Sequence, residues 1–536
     1  MAADESGPAA CWPLAGDTRD HSGHGHHAVA HGSVELGATG PHDRTDSAAS
    51  FSGRDGYLEV AAGQNLNLGT SDFSITAWVN LPESLDDVPG DIVSQYDAQG
   101  RRGFQLVLKT SAGVASTQSN YRQLQFSIDR GRQDASWTDC GKPGSALLAF
   151  GLVAYDGHLY AGTCEPGPAD RGRVYRFDPP NRWVDCGSPT AANAVTALAT
   201  WRGKMFTGTG KYRLAGSALE ESPNTNLGGR VLVYDADDRW TDCGQLPGVE
   251  AVGGLAVYRD RLYASSLYRP AGFFRYEGGQ NWTALPTPGK RVESLAVYNG
   301  YLYATSYDGG VVFRFDGTRW TDCGQLGPAE ENSQTYSFAV HHGRLYVGTW
   351  RTGRVYRFED IDRWADVGRL GEELEVMGML VHNGRLIAGT LPLAEVYEYD
   401  GLMHWQKLAR LDHTPDVRYR RAWTMAEFGG RVYCSTLPSG HIYSFEAGKN
   451  VSWDREFPSG WHHVAAVKRA GRLQLYVDGS RVAESTAFNV SDYDLASNAP
   501  LRIGFGANDY LHGQLSDVRL FHLAISDVEI AKLARP

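Results

Sequence analysis

The chain has 536 residues, 42% of them hydrophobic and 21% charged, which excludes wholesale disorder. A formal net charge of −11 argues against a nucleic-acid binder, and no apolar run is long enough to cross a membrane as a helix. The 63 glycines and the many aromatics (27 Tyr, 19 Phe, 14 Trp), with little helical periodicity, point to an all-β protein rich in turns.

The opening MAADESGPAACWPL has no basic segment followed by an apolar one, so no signal peptide is expected.

From residue 135 the chain repeats. Eight tryptophan segments follow one another at Trp137, Trp183, Trp240, Trp282, Trp320, Trp364, Trp405 and Trp453, between 38 and 57 residues apart. That is the period of a four-stranded propeller blade, about 40–50 residues. Three further strand-like pieces lie between each pair, as in SLAVYNG, YLYATS and GVVFRFD. Seven such sets with eight tryptophan segments predict a seven-bladed β-propeller over residues 135–453. The surplus segment predicts closure by a shared blade. Either the Trp137 segment completes the last blade, or the Trp453 segment does and the first is a lead-in. Tryptophans on outer strands are expected to pack against the next blade.

The seven cysteines show no zinc spacing. Four of them recur in DCG (Cys140, Cys186, Cys243, Cys323), at equivalent points of separate blades. They are expected to be unbridged, since bridged Cα atoms must lie within about 7 Å.

The C-terminal part reads GWHHVAAVKRAGRLQLYVDG and then GQLSDVRLFHLAISDVEIAKL. Together with Asp20-His21-Ser22-Gly23, the run from Phe51 and the run from Asp72, these motifs resemble a laminin-G-like (concanavalin A-like lectin) jelly roll. Its halves would be residues 1–134 and 454–536, with the propeller inserted into one loop. Ser526 is expected to cap the closing helix, with Glu529 completing a capping box. The resemblance implies carbohydrate binding and a structural Ca2+ held through Asp20 and Asp517, with Ser22 in support. A lectin-like domain suits an extracellular location, whereas free cysteines suit the cytoplasm; the sequence leaves the location open.

Propellers concentrate function on one face near the axis. Aligning the blades places Phe150, Thr196, Gly253, Glu293, Tyr336, Met377 and Trp423 at the entry of the first strands. A small residue follows each of them, as a crowded axis demands. Loops after the second strands add Lys211, Tyr268, Arg269, Tyr307, Asp308, Trp350 and Arg351. Aromatic faces with arginine forks suit sugars, and uronic acids above all. A polysaccharide or oligosaccharide is therefore the expected partner, bound on this face, on the jelly roll or on both. Two alternatives stand beside a lectin. One is an enzyme: a polysaccharide lyase using Tyr336, Arg351, His413 and His441 is favoured over a glycoside hydrolase using Glu293 and Asp308. The other is a protein-interaction scaffold.

Overall fold

A computed structural model describes residues 7–62, 66–131 and 136–535. The chain forms two compact units: residues 1–109, 122–135 and 446–536 in one, and residues 110–121 and 136–445 in the other.

The first unit is a sandwich of two antiparallel sheets built from both ends of the chain. In one sheet Phe73–Leu81 lies between Gly460–Arg469 and His512–Phe521. The apolar members of these strands alternate inward, so Phe73, Ile75, Ala77 and Val79 meet Val464, Ala466, Leu515 and Leu520 in one core. Strands from the two ends thus pair directly. The closing helix Asp527–Leu533 is capped as expected, with Ser526 Oγ accepting from the Glu529 amide at 3.2 Å. Glu529 turns its carboxylate to Lys532 Nζ at 3.4 Å.

The second unit is a ring of seven four-stranded blades. The last blade runs Arg421–Phe428, Arg431–Leu437 and Ile442–Phe445, and its outer strand is Thr138–Asp139 from the start of the ring. Pairing of Thr138 with Ser444 and of Asp139 with Tyr443 closes the propeller through the Trp137 segment. The Trp453 segment belongs elsewhere: Lys449–Trp453 pairs with Asn120–Arg130 in the sandwich. This moves the second boundary from 453 to 445, because the pattern of one edge strand resembles that of another. The expected boundary at 134/135 falls on residues 132–135, outside the described residues.

The repeated W-x-D-C-G motif acts as a blade-to-blade clamp. The Asp caps the amide of the Gly two residues on, at 2.8–2.9 Å in Asp139, Asp185, Asp242 and Asp322. The Gly must be left-handed and close-packed: Gly324 has φ +96°, and a Cβ there would lie 2.7 Å from Asp362 Oδ1. This turn presents the Cys carbonyl to the tryptophan of the following blade. Trp183, Trp240, Trp282 and Trp364 donate their indole N–H to the carbonyls of Cys140, Cys186, Cys243 and Cys323 at 2.8–3.2 Å. Trp320 and Trp405 make the same bond to Pro286 and Val367. At the closure, Trp137 stacks on Phe445 at 5.2 Å and its buried indole N–H has no hydrogen-bond partner among the described residues. All seven cysteines are unbridged.

The channel of the ring is filled by residues 110–121, which sequence reasoning assigned to the jelly roll. Val114 and Thr117 exchange backbone bonds at 3.1 and 3.3 Å, forming a tight turn. Ser116 Oγ donates to Thr196 O at 2.6 Å, Gln118 Nε2 to Thr200 O at 3.0 Å, and Ser119 Oγ to Met425 O at 2.6 Å. Carbonyls of the turn accept from Ala154 N, Leu255 N, Phe338 N and Thr424 Oγ1. Ser294 Oγ donates to Ala115 O. Six blades thus bond to one hairpin, and Val114 also packs beside Gly378 of the remaining blade.

Candidate functional site

Six of the seven first strands carry a β-bulge at their entry ends: between Ala149 and Gly151, Val195 and Ala197, Val252 and Leu255, Thr335 and Phe338, Val376 and Met379, and Ala422 and Met425. A bulge adds one residue and re-aims its side chain. Here the re-aimed residues are the ring positions. Phe150, Tyr336, Met377 and Trp423 enter one buried cluster with Tyr212, Leu267 and Leu437. The ring that the sequence alignment picked out is therefore a plug of packed side chains; Tyr336 is 4% exposed and Trp423 1%.

Two buried carboxyls and one guanidinium lie at this level. Glu293 is 1% exposed, Glu375 4% and Arg421 7%. Burial pushes the Glu293 carboxyl up to about 8, with Tyr336 as its hydrogen-bonding neighbour, and the nearby Glu375 adds to the rise. Burial likewise raises Glu375 to about 7, opposed by Arg421. The Tyr336 and Tyr307 hydroxyls are held well above the usual phenol range, chiefly by burial and then by Glu293. Neither is a ready base at neutral pH.

Around this plug runs a rim in which arginines lie over aromatic faces. Arg213 lies 4.5 Å from the Tyr268 ring, Arg291 4.6 Å from Tyr307 and Arg418 4.8 Å from Tyr419. Trp350 meets Tyr419 edge-on at 6.1 Å. Tyr268, Tyr307, Trp350 and Tyr419 are the half-buried aromatic side chains that pack on the cluster. Arg269 (76% exposed), Arg213 (54%) and the exposed Arg351 and Arg418 reach solvent. Asp308 is fixed between Arg291 at 2.8 Å and Arg269 at 3.1 Å. Burial opposes ionisation of Asp308, but the Arg291 bonds outweigh it and bring its carboxyl down to about 2. Arg213 is balanced by Glu250 at 2.7 Å, whereas Arg351 and Arg418 make no ion pair among the described residues. Of the five arginines named here, three are paired with Glu250 or Asp308 and two, Arg351 and Arg418, are not.

Other expected site residues lie apart. Lys211 is spent on Glu221 at 3.1 Å and on Ser222 O at 2.8 Å. His441 holds Asp139 at 2.9 Å in the closing blade, and His413 is exposed. Neither histidine contacts Tyr336 among the described residues. Glu293 is buried, and Asp308 is held by two arginines. Arg421, Glu375 and Arg291 were missed. Each lies two residues before its ring position (Trp423, Met377, Glu293), so period-two alternation was the signal that could have found them.

The residues expected to hold Ca2+ do not fit it. Asp20 accepts from the amides of Cys11, Ser22 and His26 and from Ser22 Oγ at 2.8–2.9 Å, which fills a carboxylate's four acceptor positions. Asp517 is bound by both forks of Arg519 at 2.8 and 2.7 Å, so a guanidinium occupies its coordinating edge. No cluster of three or more His, Cys, Asp or Glu able to hold a metal occurs among the described residues.

Residues 422–531 match the family model of the concanavalin A-like lectin/glucanases superfamily. The match begins in the last blade and runs through the second half of the sandwich. The protein thus joins a lectin-like jelly roll to a seven-bladed β-propeller. No curated protein matches the chain. Among solved structures it is similar to a catalytically inactive virginiamycin B lyase from Staphylococcus aureus with quinupristin, at 8% identity and a TM-score of 0.43, covering 59% of this chain and 98% of that one. It is also similar to the WD40 propeller domain of Doa1, at 9% identity and TM-score 0.43 with 59% and 97% coverage. YCF48 bound to D1 peptide gives 12% and 0.42 with 59% and 98% coverage. Likenesses this distant carry no argument about activity. Among the described residues no helix is long and apolar enough to cross a membrane.

Proposed function

We propose that the protein is a carbohydrate-binding protein that takes an acidic glycan on the arginine-bearing face of the propeller. The observation that carries this reading is the rim of arginines laid over aromatic rings, with Arg269, Arg351 and Arg418 reaching solvent. Guanidinium forks pair with carboxylate or sulfate groups, and a guanidinium stacked on an aromatic ring is held in place to do so. The lectin-like superfamily match supports the same class of ligand. Binding is favoured over turnover because the histidines lie apart from Tyr336 and the candidate acid–base pair is locked.

A binding panel tests this. A polyuronate and a sulfated glycan are expected to bind, and raising salt from about 0.05 to about 0.5 M is expected to weaken them roughly tenfold or more through screening. An uncharged glucan is expected to bind weakly or not at all. Equal binding of the uncharged glucan, or no binding of either acidic polymer, would sink the proposal. Absorbance of unsaturated product, followed in the same samples, reads the lyase alternative.

A further inference from the structure

Arg421 is an anomaly. It is buried, with Trp423 and Tyr419 rings each 5.5 Å away, yet it makes no ion pair among the described residues, and its Nε and Nη1 have no hydrogen-bond partner. A buried guanidinium without a counter-charge or full hydrogen bonding is costly. Two more buried polar atoms in the same cluster are unpartnered: Trp423 Nε1 and Glu293 Oε2. The Trp423 ring ties these groups together, at 6.1 Å from Tyr336, which is the neighbour of Glu293, and at 6.0 Å from Tyr212. Three idle nitrogens and one idle carboxyl oxygen thus lie on neighbouring side chains beneath the rim.

We infer that Arg421, Trp423 and Glu293 form a buried subsite for one carboxylate group, the acid of a uronic-acid residue. Arg421 supplies the counter-charge and N–H donors, and Trp423 adds its indole N–H. Glu293, kept protonated near neutral pH by burial, donates to the same group and does not repel an anion. Glu375, raised to about 7, is the other acid facing Arg421. The half-buried Tyr307, Trp350 and Tyr419 lie on this cluster and are the side chains that must turn aside to admit the group. The inference rests on the acidic-glycan reading and assigns one carboxylate of that ligand to a buried site, beside those that the solvent-exposed arginines take.

Calorimetric titration of the full-length protein with free D-glucuronate and D-galacturonate, and with glucose and galactose as uncharged controls, tests it. The parent is expected to bind at least one uronate and neither neutral sugar. Arg421→Gln and Trp423→Phe are each expected to weaken that uronate at least tenfold. If Arg421→Gln does not fold, as judged by its melting transition, Trp423→Phe decides alone, since it keeps the ring and removes only the N–H. Undiminished uronate affinity in a folded variant overturns the inference. So does failure of both uronates to bind the parent, the result expected if Glu293 or Glu375 swings onto Arg421 instead. The acidic-glycan reading fails separately, when neither acidic polymer binds the parent.

Discussion

Gly113→Val is expected to cost the propeller about 3 kcal/mol. Gly113 sits in the channel hairpin at φ +71°, and its carbonyl accepts from Phe338 N at 3.0 Å. A Cβ there would lie 2.9 Å from Phe338 Cδ2 and 3.2 Å from Ala296 Cβ. A left-handed backbone costs an ordinary side chain about 1–2 kcal/mol, and overpacking a close-fitted core adds about 1–3 kcal/mol. Gly203→Val is the control, because Gly203 is also left-handed (φ +65°) with nothing within 4 Å of the added Cβ. Denaturant unfolding of both variants separates conformational strain from crowding. Equal losses would mean that the hairpin is not seated against the fourth and fifth blades.

Glu293→Gln is expected to stabilise the protein at about pH 8 and to flatten its pH dependence. The folded carboxyl titrates at about 8 against an ordinary value of 4.5. Between those values the folded chain holds a proton that the unfolded chain has released. Stability is therefore greatest below about 4.5 and falls as pH rises through the window. At about 1.4 kcal/mol per pH unit, full loss is about 5 kcal/mol, and the glutamine variant escapes it. Chemical unfolding at about pH 5 and about pH 8 should show near-equal stabilities at the lower pH and a gap of several kcal/mol at the higher. A constant gap would mean that Glu293 keeps an ordinary pKa, and hence that it is not buried as described. Some pH dependence remains in the variant through Glu375.

The propeller was legible because its clamp is a repeated sequence. W-x-D-C-G recurs where a cap, a left-handed glycine and a tryptophan donor must coincide. The jelly roll was legible because several motifs fall in family order at both ends. The ring positions were legible too, since each precedes a small residue that the bulge and the channel hairpin require. That hairpin was not. Its segment, TSAGVASTQSNY, reads as an ordinary polar loop, and its polar side chains find their partners on blades up to about 300 residues away in sequence. The burial of Tyr336, Glu293 and Trp423 was hidden for the same reason: loop position suggested solvent, and the packing that excludes solvent is non-local. Asp308 looked free until Arg291, in the loop before the fourth blade's first strand, was brought beside it.

The central claim is that the arginine-bearing face of the propeller takes the acidic glycan. Amide hydrogen exchange of the full-length protein, with and without a saturating polyuronate, tests it most directly. The account predicts slowed exchange in the rim segments 267–272, 307–310, 350–353 and 417–423, with the jelly-roll strands unchanged. Protection confined to jelly-roll segments such as Gly460–Arg469 and Arg472–Val477, with the rim unchanged, would contradict it.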